Sequence, residues 1–213
     1  MDLRDNRRDY VQARLTRDSL LADPMAQFKD WFAAVLEHGG LPDPTAFTLA
    51  TVDQHHRPHQ RIVLLKEMTD HGFIFYTNQA SAKGQDIAAN PHVAMNFAWL
   101  EMERQVRIEG TASKLAAEKA ESYFRSRPIG SQLGALTSAQ SQPIASRTEL
   151  EARYLELEKQ YQTEPVPKPE HWGGYLITPS RFEFWQGGRY RLHDRFEYQH
   201  DANNEWKITR LQP

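Results

Sequence analysis

A chain of 213 residues with a formal charge of only −2 is long enough to bury a core of its own, and it lacks the broad positive field that nucleic acid or an acidic membrane would attract. With no cysteine in the chain, a disulfide framework, a thiolate nucleophile and a cysteine-ligated metal are all excluded. The first twenty residues, MDLRDNRRDYVQARLTRDSL, contain no apolar signal-peptide core and no later run reaches membrane-spanning length, so the expectation is a cytoplasmic protein with neither nucleic acid nor membrane among its partners.

Residues 1–20 alternate arginine and aspartate with few apolar side chains. They are expected to form a mobile segment over the surface, able to close on a ligand, ahead of a single domain at 21–213. A helix is predicted in ADPMAQFKDWFAAVLEHGG: Asp23 is a good N-cap, Pro24 suits the first helical position and Gly39-Gly40 end it, with Phe28, Trp31, Phe32, Val35 and Leu36 as the buried stripe. Strand signals then dominate in AFTLATV, HQRIVLLKE, FIFYT, HVAMNFAWL and RQVRIEGTA, which predicts an antiparallel sheet curling into a barrel. Helical patterns interrupt it near 81–89, 115–126 and 146–162, the last with Leu150, Tyr154, Leu157 and Tyr161 as a stripe for the core or a subunit contact. The proline-rich EPVPKPEHWGG reads as a stiff connector before three final strands.

Three stretches carry candidate chemistry. In FEFWQGGRYRLHDRF, at 182–196, paired glycines fit a hairpin turn, and continuous strands on both sides would put Arg191, His193 and Arg195 on one face at roughly 6.6 Å spacing. This is either a charged edge strand or a pocket wall for an anion and a flat ring, since arginine forks match phosphate oxygens and stack on aromatic planes. In RIVLLK, a regular strand would separate Arg61 from Lys66 by about 17 Å and send them to opposite faces, which fits two separate anionic groups as well as two cations snorkelling from a buried strand. In SYFRSRPIGS, Tyr123, Arg127 and Ser131 recur every fourth residue, but Pro128 disfavours helical geometry at Arg127. A helix ending there and followed by a loop would keep the three groups together as a phosphate corner. DQHHRPH lacks an acidic partner at metal spacing, so no metal is expected, and no P-loop, GxGxxG or nucleophile elbow is present.

Taken together, FEFWQ, four variable residues and RLHDR resemble the signature of the pyridoxine (pyridoxamine) 5′-phosphate oxidase family. The similarity continues through RRDY, FYTN, ERQV, SYFRSRP, AQSQ and the closing WKITRLQP. The resemblance implies an α+β fold, an FMN-binding split β-barrel of antiparallel, Greek-key-like strands with peripheral helices. It implies a homodimer with FMN at the subunit interface, and oxidation of pyridoxine 5′-phosphate and pyridoxamine 5′-phosphate to pyridoxal 5′-phosphate with dioxygen reduced to hydrogen peroxide. By matching position, Arg61, Ile62, Val63, Leu64, Leu65 and Lys66 would line the flavin, with Arg61 and Lys83 at its phosphate. Tyr76, Thr77, Gln105, Gln140, Ser141, Trp185 and Arg195 would complete that site. Lys66, Tyr123, Arg127 and Ser131 would take the substrate phosphate, Arg191 and His193 would act at the pyridine ring, and Arg7, Arg8, Asp9 and Tyr10 would close from outside. The chain departs from the family pattern at Ala82, where an arginine is common, at Asp9, and at Ala13-Arg14-Leu15 in place of Gly-Gly-Leu. A split-barrel reductase using a nicotinamide or deazaflavin donor, and a carrier of flavin or pyridoxal phosphate without turnover, are the alternatives.

Overall fold

The computed structural model describes residues 1–5 and 8–213. Helix α1 (Pro24–His38) starts where predicted: the Asp23 carboxylate accepts from the amides of Met25 and Ala26, and Gly39 leaves the helix at a φ of 65°. Phe28, Trp31, Phe32 and Val35 are buried, whereas Leu36, expected with them, is 55% exposed. It lies roughly a quarter turn beyond the centre of the stripe that the other four define.

Antiparallel strands β1 (Ala46–Val52), β2 (Pro58–Leu64), β3 (Glu67–Thr69), β4 (Gly72–Asn78), β5 (His92–Trp99), β6 (Arg104–Lys114), β7 (Trp172–Gln186), β8 (Asp194–His200) and β9 (Trp206–Leu211) build one sheet in the order β2-β1-β5-β6-β7-β4-β3. Strand β7 divides it. One edge runs along β6, while the other pairs with β4 through Trp172–Ile177 and with β8 through Arg181–Gln186. Opposite that division the register of β6 shifts between Glu109 and Gly110. A Cβ on Gly110 would stand 2.3 Å from the carbonyl oxygen of Thr178, so only glycine fits the bulge.

Alternation in these strands sends aromatic rings inward. Phe28 of α1 meets Phe73 and Phe97 edge-on with ring centroids 4.9 Å apart, and Trp31 meets Phe184 at 5.2 Å. Burying each such ring contributes about 1.5–3 kcal/mol, so the helix is locked into the curl of the sheet by its aromatic face. Helices α2 (Ala82–Ala89), α3 (Ala117–Ser126) and α5 (Arg147–Gln160) fall in the three regions where helical periodicity was read. No residue of α5 is fully buried, but Tyr154, Leu157 and Tyr161 pack against a second, smaller core of Phe124, Leu133, Val166 and Trp172.

Four local expectations are corrected. HQRIVLLKE is not one strand: at Leu65 the backbone amide still bonds to Thr45, and at Lys66 it switches to Ile74 of β4, so the chain crosses from one part of the sheet to another. The segment after Arg127 is not a loop but helix α4 (Ile129–Thr137), which Pro128 starts rather than prevents because its fixed φ suits a helix entry. EPVPKPEHWGG is more than a spacer, since Val166 is 1% exposed and Trp172-Gly173-Gly174 already belong to β7. Gly187-Gly188 do not form a tight hairpin. A longer connection joins β7 to β8 and contains a 3₁₀ turn at Arg189–Arg191, with Tyr190 and Arg191 at positive φ, so Arg191 is not in register with His193 and Arg195 on a strand face.

Candidate functional site

A cavity of about 770 Å³ opens beside the unpaired edge of β2, lined by that strand, by β4, by the start of α2 and by the α3–α4 elbow. Arg61, Ile62, Val63, Leu64 and Lys66 all reach it. Strict alternation would split them between two faces, yet all five line the cavity, which lies beside the edge of β2 that pairs with no other strand among the described residues. Leu65 is the exception: its side chain is 5% exposed, within the main core.

One corner is built around Arg61 and Lys83. The Arg61 Nη1 donates to the Leu49 carbonyl at 3.0 Å and to Thr51 Oγ1 at 2.7 Å, and Nη2 lies 3.6 Å from the buried Asp86 carboxylate. Thr51 Oγ1 in turn donates to Asp86 at 2.6 Å. Lys83, 8% exposed, donates to Thr77 Oγ1 at 3.1 Å, Ser81 Oγ at 3.2 Å and Gln140 Oε1 at 2.8 Å. These acceptors are all neutral. Desolvation, then the charge of Arg61, pulls the Lys83 pKa down to about 8. Ser141, which closes this corner by accepting from the Ala82 amide at 3.2 Å, sits at a φ of 72°, unusual for a residue with a Cβ.

The opposite corner collects Lys66, Tyr123, Arg127 and Ser131. These do not share one helix face: Tyr123 is on α3, Arg127 is its extended C-cap and Ser131 is in the first turn of α4. Gln132 holds the elbow by donating to the Arg127 carbonyl at 2.8 Å. The Arg127 guanidinium lies over the Trp172 ring at 5.0 Å, and its Nη1 is buried with no hydrogen-bond partner. Between the corners, Tyr76 stacks on Tyr123 at 4.0 Å and on Trp172 at 5.5 Å with 8° between planes. Trp172 was missed because WGG read as connector rather than as the first turn of the pleat. Two cationic corners, which among the described residues hold a buried ammonium without a counter-ion and an orphaned guanidinium nitrogen, flank apolar surface, an arrangement that can receive an elongated ligand with an anion at each end.

The remaining predicted residues lie elsewhere on the protomer. Gln105, Trp185, Arg8 and Tyr10 line a separate cavity of about 460 Å³ with Glu103 and Arg104. The Tyr10 ring stands edge-on to Trp185 at 5.7 Å and to His193 at 5.5 Å, with the Arg191 guanidinium 5.5 Å from its centroid. The Gly188 amide donates to His193 Nδ1 at 3.1 Å, which leaves the proton of the neutral ring on Nε2. Burial, then Arg191 and Arg195, hold the His193 pKa below the usual imidazole value. Arg195 is pinned by Glu183 at 2.8 Å and the Gln212 carbonyl at 2.8 Å, and Glu183 also faces Arg107 at 3.3 Å. Asp9 is exposed, and Arg7 lies outside the described residues. Sequence reasoning missed Asp86, Glu103 and Glu183, the buried carboxylates that orient these cations. Among the described residues no group of three or more histidines or carboxylates is arranged to hold a metal, and no helix is long and apolar enough to cross a membrane.

A divided antiparallel sheet with peripheral helices and a cavity at its open edge defines a split-barrel protein. An FMN-binding protein from Nostoc punctiforme, described as pyridoxamine 5′-phosphate oxidase-related, shares this fold with a TM-score of 0.70 at 16% identity, over 91% of this chain and all of that one. PhzG from Burkholderia lata 383, solved with tetrahydrophenazine-1-carboxylic acid, superposes with a TM-score of 0.87 at 29% identity, over 93% of this chain and 98% of its own. Residues 36–161 match the family model described as pyridoxamine 5′-phosphate oxidase, and residues 172–213 match the pyridoxine 5′-phosphate oxidase C-terminal dimerisation region. The pyridoxine/pyridoxamine 5′-phosphate oxidases of Idiomarina loihiensis and Vibrio cholerae are 53% and 49% identical to this chain over the full length of both partners. The chain belongs to the pyridoxamine 5′-phosphate oxidase family. It is an oxidoreductase, which sets aside the non-catalytic carrier, and it carries the family's dimerisation region, which makes it a homodimer.

Proposed function

We propose that this protein oxidises pyridoxine 5′-phosphate and pyridoxamine 5′-phosphate to pyridoxal 5′-phosphate with FMN as cofactor, dioxygen being reduced to hydrogen peroxide. The observation that carries this reading is the pair of separated cationic corners in one cavity: Lys83, whose three hydrogen bonds all go to neutral acceptors, and Arg127, whose buried Nη1 has no partner among the described residues. A ligand pair bearing two phosphates matches that demand, since each phosphate brings a charge of about −1.5 to −2 at neutral pH.

The residues fit FMN. Arg61 and Lys83 would hold its phosphate, with Thr77, Gln140 and Ser141 supplying neutral polar contacts, Tyr76 at the cavity wall and residues 61–64 and 66 along its length. When bound, the flavin supplies the hydride acceptor and the reaction with dioxygen. The chain's own task is to bind and orient. Lys66, Tyr123, Arg127 and Ser131 would anchor the substrate phosphate, the guanidinium fork and phenol acting together as donors. Tyr123 is kept protonated by burial, which raises its pKa, so it remains a donor at neutral pH. Gln105, Trp185, Arg191, His193 and Arg195 lie outside the large cavity of their own protomer; in the homodimer they would complete the cavity of the other subunit. There Arg191 would clamp the pyridine ring, and His193, neutral with its proton on Nε2, would orient the ring and exchange a proton with it. Residues 8–10 would close over this face.

The deciding experiment is to saturate the purified protein with FMN, add pyridoxine 5′-phosphate in air and follow peroxide formation and absorbance of the aldehyde product. Peroxide and aldehyde in equal amounts is the expected result. Absence of both with either phosphate ester would remove the proposal, and reduction of the flavin only by a nicotinamide or deazaflavin donor would install the reductase in its place.

A further inference from the structure

Glu103 is a buried carboxylate that lines the second cavity: it is 3% exposed, and its backbone adopts a left-handed conformation with φ of 54° and ψ of 36°. Its side chain points at the N-terminal segment, where it accepts from Arg8 Nη2 at 3.1 Å, from the Val11 amide at 2.8 Å and from the Gln12 amide at 3.0 Å. Its carbonyl points the other way, accepting from the Gly187 amide at 2.7 Å and Gln186 Nε2 at 3.1 Å. One residue therefore ties the segment at 8–12 to the last residues of β7, just ahead of the connection that carries Arg191 and His193. The object held between these two anchors is Tyr10, whose ring packs against Trp185 and His193.

We propose that Glu103 is a positioning residue of the active site: by gripping the segment on both sides of Tyr10 and the end of β7 together, it seats the Tyr10 ring against His193 and Arg191. The inference rests on the proposed oxidation for its kinetic consequence and on geometry alone for its mechanical one. A left-handed backbone at a residue with a Cβ is disfavoured, and here it aims carboxylate and carbonyl in the two required directions. Burial pushes the Glu103 carboxyl pKa up, but hydrogen bonds from the Gln12 amide, Arg8 and the Val11 amide outweigh it and hold the acid below its ordinary range, so the grip is ionised at neutral pH. Hydrogen bonds to an ionised acceptor are the stronger kind. Glutamine keeps the size and one acceptor oxygen but turns a second donor toward Arg8, so Glu103→Gln weakens the grip without emptying the site.

The test has two arms, each run on the flavin-loaded protein. In the first, trypsin cleavage after Arg8 and Arg14 is timed for wild type, Glu103→Gln and Glu103→Ala; about tenfold faster cleavage is expected in the variants, the ratio that the loss of one charge-assisted hydrogen bond produces. In the second, Glu103→Gln is combined with Tyr10→Ala. Alone, Glu103→Gln is expected to raise KM for pyridoxine 5′-phosphate about tenfold, with FMN affinity and Tm unchanged; in the Tyr10→Ala background it is expected to change KM no further, because the residue it acts through is gone. Equal cleavage rates, or KM losses that simply add, would overturn the proposal. If Glu103→Ala fails to fold, Glu103→Gln alone decides both arms. If wild type turns over neither phosphate ester, the oxidation falls while the cleavage rates still judge the grip.

Discussion

Tyr76 and Tyr123 stack with centroids 4.0 Å apart and 19° between their planes, and this contact joins the barrel strand β4 to the helical corner that carries Arg127. The stack fixes the Tyr123 ring, so its hydroxyl is held at the rim of the cavity at little further entropic expense. Tyr123→Phe keeps the ring and removes only the donor. The expected result is a KM for pyridoxine 5′-phosphate raised about 10- to 100-fold, the range for one lost hydrogen bond to a charged group, with FMN affinity unchanged. An unaltered KM would take Tyr123 out of the phosphate corner.

Lys83 makes two pH dependences of opposite sign. Its pKa in the folded protein is about 8 against an ordinary 10.5, and a phosphate dianion favours the protonated form. FMN affinity is therefore expected to be greatest below pH 8 and to fall as the pH rises through it. Stability of the flavin-free protein should move the other way. Between pH 8 and 10.5 the unfolded chain binds more protons at this residue than the folded one, so this group's contribution to stability rises with pH. Fluorescence titration of FMN and urea unfolding across pH 6.5–10 check both, and Lys83→Met should flatten both profiles. A flavin affinity that Lys83→Met leaves just as pH-dependent would refute the assignment.

Arg61 and Arg191 should separate cofactor binding from turnover. Arg61 sits in the cavity, held by Leu49, Thr51 and Asp86, whereas Arg191 is on the connection before β8, beside Tyr10. Arg61→Ala is expected to weaken FMN binding by at least about 100-fold, since a charge-assisted contact and its orientation are both lost. Arg191→Ala is expected to keep the flavin spectrum and affinity yet lose most turnover. The spectrum of the purified variants and peroxide release with saturating FMN distinguish the two, and unchanged turnover in Arg191→Ala would refute the clamp.

The parts of the fold that local rules govern were legible in the chain. Asp23-Pro24 and Gly39 mark a helix whatever surrounds it, and runs rich in β-branched and aromatic residues mark β1, β4 and β5, of which β1 and β5 alternate in burial while β4 is buried almost throughout. What was not legible depends on partners distant in sequence. HQRIVLLKE breaks at Lys66 because its amides turn from the carbonyl of Thr45, just ahead of β1, to that of Ile74 in β4, and no property of the nonapeptide records that. Leu65 was placed with the flavin by motif, yet its side chain fills the core because the crossing turns it inward. The cations at the site announced themselves through residue type, while their anchors Asp86, Glu103 and Glu183 are ordinary acids in the sequence and become informative only once burial is known. Arg191 was misplaced for the same reason: Gly187-Gly188 signal a turn but neither its length nor that Gly187 lies against the ring of Tyr10.

That last contact yields a clean substitution. A Cβ on Gly187 would lie 2.7 Å from Tyr10 Cδ1 and 2.9 Å from Tyr10 Cβ, too close for any L residue unless the whole side chain moves, and Gly187 is not among the residues at positive φ. Alanine therefore meets no positive-φ penalty at this position, and its nearest obstacle is Tyr10. Gly187→Ala is expected to leave Tm within about 2–4 °C of wild type, the shift that about 1 kcal/mol produces in a chain of this size, while raising KM for both phosphate esters. In a Tyr10→Gly background the Cβ and the ring are both gone, so the same substitution should have no further effect on KM. Steady-state kinetics of the four proteins check this. A KM increase that persists without the tyrosine ring would place the fault in the β7–β8 connection itself and detach Tyr10 from substrate binding.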